Sequence, residues 1–319
     1  MIVLVLLTLD FSFRIDGADG IWLLPLLLFF AVGTAWEMAT MLQANIQPIR
    51  RGVAVAGAAT ISLSAAIPFA WAFVPGGYPA NCPVGRLGWI VLAATAVVFA
   101  VLISEMRDYG KSSDEIVGMT VRRTCAAVYV SMYVGLPMAM LIALRSMNAA
   151  SSSGRFGLAA LVTMIIVTKV ADSGAYFSGR ALGRHKLIPR LSPGKTVEGA
   201  IGGILASTLV AYLCLEFLFG AIVGSAAGVG VTTPPNPTVV KTGLSALLAA
   251  PWAGAIVLGP TLAITGMVGD LAESLFKRDS GVKDSGKLLP GLGGVWDVTD
   301  SLIAASVPAF FCFAAGVGG

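Results

Sequence analysis

Apolar stretches of about 20 residues recur from one end of this 319-residue chain to the other, and that single pattern decides its solvent. The stretches fall at roughly 1–13 (marginal), 20–42, 52–74, 87–104, 121–144, 156–178, 197–223, 243–268 and 300–317. Each except the first is long enough to cross a bilayer as a helix, and helices satisfy their own backbone polar groups where water is absent. A soluble protein with a large core is the competing reading. It fails on charge: only 12% of the residues are Asp, Glu, Lys or Arg, against about 25% in soluble domains. The expected fold is therefore all-α, a polytopic membrane helix bundle of about nine transmembrane helices. The opening MIVLVLLTL lacks a basic segment and a small-residue cleavage site, so it reads as the first span rather than as a signal peptide.

The basic residues set the orientation. Connections after the even-numbered spans hold fifteen Lys and Arg, including Arg50, Arg51, Arg107, Arg180, Lys195, Lys277 and Arg278. Those after the odd-numbered spans hold five: Arg14, Arg86, Arg145, Arg155 and Lys241. Positive charge stays cytoplasmic. The even-numbered connections accordingly face the cytoplasm and the C-terminus faces outward. The connection after the seventh span, with Pro234, Pro235 and Pro237, reads as an irregular outward loop. The whole chain, 1–319, reads as one integral membrane domain. Within it, 1–155 forms N-terminal scaffold helices and 156–319 carries the polar segments.

Composition excludes several functions. No Lys/Arg block with interleaved aromatics occurs, which argues against nucleic acid as a partner. The four cysteines (Cys82, Cys125, Cys214 and Cys312) are far apart, and His185 is the sole histidine. Neither a disulfide framework nor a thiolate or multi-histidine metal site is supported. A metal would need oxygen ligands, which suits magnesium.

Polar residues concentrate in three cytoplasmic-side segments. In KVADSGAYFSGR, Lys169, Asp172, Ser173, Tyr176 and Arg180 share one helical face. A polar stripe at membrane depth faces protein or a water-filled cavity, although a Lys169–Asp172 pair that merely neutralises itself would also explain it. In LSPGKTVEG, Ser192 reads as a helix cap with Pro193 at the first helical position; Lys195 and the free N–H groups of that turn would attract an anion. GKT suggests a P-loop, but that loop needs Gly where Pro189 stands. An ordinary capped helix start explains this segment equally well.

The third segment, 269–301, is the longest. Asp270, Glu273, Ser274 and Lys277 share a helical face, Lys283 and Asp284 follow in a Gly-rich loop, and Gly291, Gly293 and Gly294 permit close backbone approach to a ligand. Asp297 and Asp300 open the last span, one turn apart. A helix-capping role explains Asp297 alone but not acidic residues opposite basic ones in a connection between two membrane helices. Acidic groups at two helix ends can share a divalent cation, and basic groups beside them suit phosphate, the arrangement that phosphoryl and nucleotidyl transfer require.

This third segment resembles the signature of the phosphatidate cytidylyltransferase (CDP-diacylglycerol synthase) family, approximately S-x-x-K-R-x4-K-D-x-G-x2-[LIF]-P-x-H-G-G-x-x-D-R-x-D. Matching positions are Ser274, Lys277, Arg278, Lys283, Asp284, Gly286, Leu289, Pro290, Gly293, Gly294, Asp297 and Asp300. DSGAY (172–176) and SPGKT (192–196) resemble further family segments, in the same order. Two positions depart: Leu292 stands where the family has His, and Val298 where it has Arg.

The resemblance implies transfer of the cytidylyl group of CTP to phosphatidate, giving CDP-diacylglycerol and pyrophosphate at the cytoplasmic face of the cell membrane, with Mg2+ as cofactor. It implies Asp270 and Asp297 as metal ligands. Lys195, Lys277, Arg278 and Lys283 would neutralise phosphates, and Asp172, Asp284 and Asp300 would orient metal, water or basic groups. Ser173, Ser192, Gly194, Thr196, Gly293 and Gly294 would contact substrate. Partners are the two substrates and the lipid bilayer, and family habit admits a homodimer with contacts in 1–155. The alternatives are a CTP-dependent lipid kinase, a cytidylyltransferase for another lipid phosphate, and a transporter. A transporter predicts functional charges on both sides of the membrane, and here they cluster on one. Glu37, inside the second span, has no role in this reading.

Overall fold

The computed structural model describes all residues except 1, 14, 46–48, 80, 112–116, 148–153, 225–242, 283, 287, 290 and 292. The expected loop around Pro234, Pro235 and Pro237 lies outside the described residues, as do Lys283 and Leu292.

The described residues are mostly helical. In order, the elements are α1 (Ile2–Ser12), α2 (Leu24–Asn45, entered through a 3-10 turn at Ile21–Leu23), α3 (Arg51–Ser64), α4 (Gly85–Asp108), α5 (Met119–Arg145) and α6 (Arg155–Leu182). A two-stranded antiparallel hairpin follows, β1 (Lys186–Ile188) and β2 (Ser192–Thr196). Then come α7 (Val197–Leu213), α8 (Phe219–Gly224), α9 (Leu244–Leu248), α10 (Pro251–Asp279) and α11 (Val295–Ala314). A π-helical turn, Cys214–Leu218, joins α7 to α8.

Among the described residues seven helices are long and apolar enough to cross a membrane, and an eighth crossing is available if α3 and the 3-10 segment Ile67–Phe73, bent by 46°, form one broken span. This is the expected polytopic all-α membrane protein, with a lower count than nine. The difference lies at α1 and at the bent α3 pair. The eleven residues of α1 rise about 16 Å, half of the roughly 30 Å hydrocarbon thickness. Elsewhere helices run past the apolar stretches that announce them: α6 continues to Leu182 and α10 to Asp279. Their polar ends keep the 3.6-residue period, so the helix continues where the hydrophobicity stops.

The fold packs as two compact units. Unit one comprises Met1–Gly20, Leu144–Ser274 and Asp300–Gly319; unit two comprises Ile21–Ala143 and Leu275–Thr299. The core of unit one is the crossing of α6 and α7, made of small residues. A Cβ on Gly199 would stand 2.8 Å from the Ala175 carbonyl oxygen, one on Gly203 2.8 Å from that of Ala171, and one on Gly174 2.7 Å from the Ala206 Cβ. Without a hydrophobic force between helices in lipid, such close backbone approach supplies the packing. At the other end of α6, the carboxylate of Asp10 in α1 lies 2.6 Å from Arg145 Nε; both side chains are almost fully buried, and Arg145 Nη1 also donates to the Gly154 carbonyl at 2.7 Å.

Unit two is built on α2, α3, α4 and α5. Ser131 on α5 donates to the Ala54 carbonyl of α3 at 3.0 Å, across the space left open by Gly57. Arg50, just before α3, ties down the end of α4 through Glu105 at 3.2 Å and through Asp108. The rings of Tyr129, Tyr133, Phe276 and Trp296 pack together, with Trp296 fully buried.

Candidate active site

In unit one the close α6–α7 crossing carries the β1–β2 hairpin against α6 and opens a cleft of about 450 Å³. Its walls are Asp172, Tyr176, Gly179 and Arg180 of α6, Leu187, Ser192, Gly194, Lys195 and Thr196 of the hairpin, Gly199 and Ala200 of α7, and Met267 and Asp270 of α10. Six of the residues given site roles from the sequence thus line one cavity (Asp172, Ser192, Gly194, Lys195, Thr196 and Asp270), together with Tyr176 and Arg180 of the polar stripe.

The local structure around Lys195 differs from the expectation. Ser192 is not the helix cap; 192–196 is a strand paired with β1. The cap of α7 is Thr196, whose Oγ1 accepts the Gly199 N–H at 3.1 Å. Ser192-Pro193 has the local chemistry of a cap, but strand pairing claims the backbone first. Lys195 therefore sits on the last strand position but one, and its ammonium reaches Asp270 Oδ2 at 2.7 Å and the Met267 carbonyl at 3.4 Å. Glu198 accepts backbone N–H groups of Arg184 and His185 and pairs with His185 Nδ1 at 2.6 Å, which fastens the hairpin to α7.

Behind Asp270 lies a carboxylate group. Asp270 and Glu273 on α10 and Asp300 on α11 each bring one oxygen to within 4.8 Å of the others. Glu273 is 2% and Asp300 7% exposed. α11 approaches closely because residue 269 is glycine: a Cβ there would stand 2.7 Å from the Ala304 Cβ. Lys169 lies beside this group, 3.8 Å from Asp172 Oδ2 and donating to Ser301 Oγ at 2.9 Å. Three converging carboxylates, two of them buried, suit a hard divalent cation, which takes oxygen ligands, and nearby Lys169 and Lys195 limit the net negative charge. The donor set fits magnesium. Glu273 carries no assignment in the sequence reading, although it shares a helical face with Asp270. Ser173 is exposed and donates to the Lys169 carbonyl at 3.0 Å; it does not line the cleft.

The remaining assigned residues belong to unit two. Asp297, expected as a metal ligand, has both oxygens engaged there. Oδ1 accepts from Lys277 Nζ at 2.8 Å; Oδ2 accepts from the Gly294 N–H at 2.7 Å and from the Ser285 N–H and Oγ, each at 3.1 Å. Gly293 and Gly294 approach this chain's own carboxylates. Gly293, at φ +88°, pairs with Leu289 in a small β-bridge, and a Cβ on it would stand 2.7 Å from Asp297 Oδ2. Arg278 and Asp284 are exposed.

Glu37 enters here without any warning from its surroundings in sequence. Its carboxylate accepts from the Val295 N–H (2.9 Å), the Trp296 N–H (2.9 Å) and Ser285 Oγ (2.9 Å). A lone acid in an apolar helix is costly in lipid unless it has partners, and these partners lie more than 240 residues away.

Over residues 1–315 the chain matches the Cytidylyltransferase family, and it belongs to that family. It is similar to a phosphatidate cytidylyltransferase of Haemophilus influenzae, 43% identical over 157 residues, which are 49% of this chain and 46% of the relative. A phosphatidate cytidylyltransferase of Pseudomonas aeruginosa is 40% identical over 161 residues, 50% of this chain and 49% of the relative. An uncharacterized protein of Escherichia coli, YnbB, is 39% identical over 157 residues, 49% of this chain and 43% of the relative. The matches span about half the length of these relatives.

Proposed function

We propose that this protein transfers the cytidylyl group of CTP to phosphatidate, forming CDP-diacylglycerol and releasing pyrophosphate at the cytoplasmic side of the cell membrane. One observation carries the reading: the cleft of unit one joins a lysine, Lys195, to a group of three carboxylates through Asp270, 2.7 Å from the lysine. That pairing of cation-binding and phosphate-binding chemistry is what a reaction between two anions needs. Family membership and the names of the relatives point to the same substrates.

In the proposed reaction an oxygen of the lipid phosphate attacks the α-phosphorus of CTP. The bond from that phosphorus to the oxygen bridging to the β-phosphate breaks, and pyrophosphate leaves with that oxygen. The attacking group is already an anion near neutral pH, so no general base is required. Lys195 offsets charge on the incoming phosphates, and Asp270 holds its ammonium at the cleft wall. Asp270, Glu273 and Asp300 would hold a divalent cation, which when bound neutralises phosphate charge. Lys277, held by Asp297 in unit two, and Arg278 and Lys283 are assigned to phosphate neutralisation on the family resemblance alone, and Asp172 would orient polar groups within the cleft.

The sidedness rests on the basic residues. Counting α3 with Ile67–Phe73 as one crossing keeps the Lys/Arg-rich connections on alternate turns of the chain. The rich connections, which include 183–196 and 280–294, then face the cytoplasm, where CTP is found, and the C-terminus faces outward.

The deciding experiment gives the purified protein phosphatidate, magnesium and CTP labelled at the α- or γ-phosphate. Cytidylyl transfer puts the α label in lipid and the γ label in pyrophosphate. Lipid carrying the γ label instead would identify a CTP-dependent lipid kinase and overturn the reading.

A further inference from the structure

Unit two contains a construction that the proposed chemistry does not use directly, centred on Glu37. The described residues between Ser285 and α11 form little regular structure beyond the Leu289–Gly293 bridge, yet they lie between Lys277 and Asp297 in the chain. Two carboxylates organise them from inside. Asp297 gathers Lys277, Ser285 and Gly294. Glu37, from α2, takes the first two free N–H groups of α11 and the hydroxyl of Ser285. The N-terminus of a helix leaves such N–H groups unpaired, and a carboxylate placed there is stabilised by them and by the helix dipole.

Ser285 joins the two acids. Its Oγ lies 2.9 Å from Glu37 Oε2 and 3.1 Å from Asp297 Oδ2, and its backbone N–H also donates to Asp297. Glycines make room for this arrangement: a Cβ on Gly286 would overlap the Glu37 carboxylate, and one on Gly294 would overlap both Ser285 Oγ and Glu37. Trp296, whose N–H binds Glu37, packs its ring 5.7 Å from that of Phe276, the residue preceding Lys277. Glu37 therefore reaches Lys277 by two routes, through Ser285 and Asp297 and through Trp296 and Phe276.

We propose that Glu37 is a positioning residue for the transfer reaction: within unit two it fixes Ser285 and the start of α11, so that Asp297 holds Lys277, the residue assigned to offsetting phosphate charge. The proposal rests on the cytidylyl-transfer reading for its activity arm only. A general helix-docking role is the competing explanation, and Thr34 provides the control. One turn before Glu37 on α2, its hydroxyl meets Thr299 Oγ1 of α11 at 2.9 Å, so it ties the same two helices through a residue outside 285–296.

The test compares Glu37→Gln, Thr34→Val and Lys277→Ala, with the double variant Glu37→Gln/Lys277→Ala, in the full-length protein purified in one detergent. Gln keeps the size of Glu but sets an amide N–H₂ against at least one of the donors. Hydrogen exchange of peptides covering 285–296 should quicken about tenfold or more in Glu37→Gln and stay near wild type in Thr34→Val. On α-labelled CTP and phosphatidate, Glu37→Gln should lower kcat/KM about tenfold or more in the wild-type background and less than about threefold beside Lys277→Ala, because both changes break the same arrangement. Wild-type exchange and turnover in Glu37→Gln would overturn the proposal. So would an equal loss on both backgrounds, or an equal loss in Thr34→Val, since those are the marks of general destabilisation. If the wild-type protein transfers no cytidylyl group, the functional reading falls. The exchange data then decide alone: quickened exchange in Glu37→Gln but not in Thr34→Val supports the positioning of 285–296 by Glu37, and its absence refutes it.

Discussion

Lys195 Nζ stands 2.7 Å from Asp270 Oδ2, joining the strand that precedes α7 to the polar end of α10 within one compact unit. The pair connects the cleft to the carboxylate group, so its two members fail differently when replaced. Lys195→Ala removes phosphate-neutralising charge and should lower kcat/KM for CTP by about a hundredfold, in the range of a lost transition-state charge contact. Lys195→Arg keeps the charge but changes its shape and should recover only part of that loss. Steady-state kinetics with CTP varied at fixed phosphatidate measure both; wild-type kinetics in Lys195→Ala would remove the lysine from the site.

The three carboxylates make a separate prediction about metal. Asp270→Asn, Glu273→Gln and Asp300→Asn each keep size and remove one charged ligand. Each should weaken Mn2+ binding about tenfold or more, followed by electron paramagnetic resonance of the purified protein without substrates. Asp297→Asn, whose oxygens already accept from Lys277, Ser285 and Gly294, should leave Mn2+ affinity within about threefold of wild type while lowering turnover. Equal loss of Mn2+ affinity in Asp297→Asn would restore it to the ligand set, where the family resemblance puts it.

The site was legible in the sequence to the extent that its chemistry is local. Asp172, Lys195 and Asp270 stand out because charges near apolar spans need a reason, and the structure brings all three to one cleft. Thr196 was hidden as the cap because Ser192-Pro193 imitates one, and the strand pairing with Lys186–Ile188 that overrides it leaves no periodic trace in five residues. Glu273 shared the face of Asp270 and was visible but unassigned. Glu37 was illegible in principle: its partners are distant in the chain, and a lone acid in a span announces only that partners exist. At α1 the described helix covers eleven residues, a length that hydrophobicity alone does not show.

A packing prediction concerns the α6–α7 crossing that shapes the cleft. The ideal Cβ on Gly203 already stands 2.8 Å from the Ala171 carbonyl oxygen, so Gly203→Val must push the helices apart. Overpacking of this kind costs about 1–3 kcal/mol, enough to lower the midpoint of thermal unfolding by several degrees. Gly220→Ala, with open space around its Cβ, should change the midpoint by less than about one degree. Thermal unfolding monitored by tryptophan fluorescence in detergent compares them, and equal midpoints for Gly203→Val and wild type would refute the close crossing.

The buried pair of Asp10 and Arg145 should behave non-additively. Arg145→Met strands the Asp10 carboxylate in a site where it is 2% exposed, a change of about 3–5 kcal/mol when one partner of a buried pair is lost. Adding Asp10→Asn to that variant removes the uncompensated charge and should restore more than half of the loss. If the double variant is as unstable as Arg145→Met alone, the pair does not hold α1 to Arg145 within unit one as the geometry implies.

The orientation is tested by where an impermeant thiol reagent reaches. In a variant with Cys82, Cys125, Cys214 and Cys312 replaced, a single cysteine at Arg190, exposed at the hairpin, should resist the reagent in intact cells and react once the membrane is opened. A single cysteine at Pro83, exposed between Ile67–Phe73 and α4, should react in intact cells. The physical basis is the excess of Lys and Arg in alternate connections, fifteen against five, which fixes orientation at insertion and is independent of any enzymatic reading. The reverse labelling pattern would put the cleft of unit one on the outer face, away from CTP, and the proposed reaction could not proceed there. Protection of both positions in intact cells, with reaction of both after permeabilisation, would mean that Ile67–Phe73 turns back without completing a crossing. The bent pair would then be a re-entrant segment, and the alternation of charge would need a different path for the chain through the bilayer.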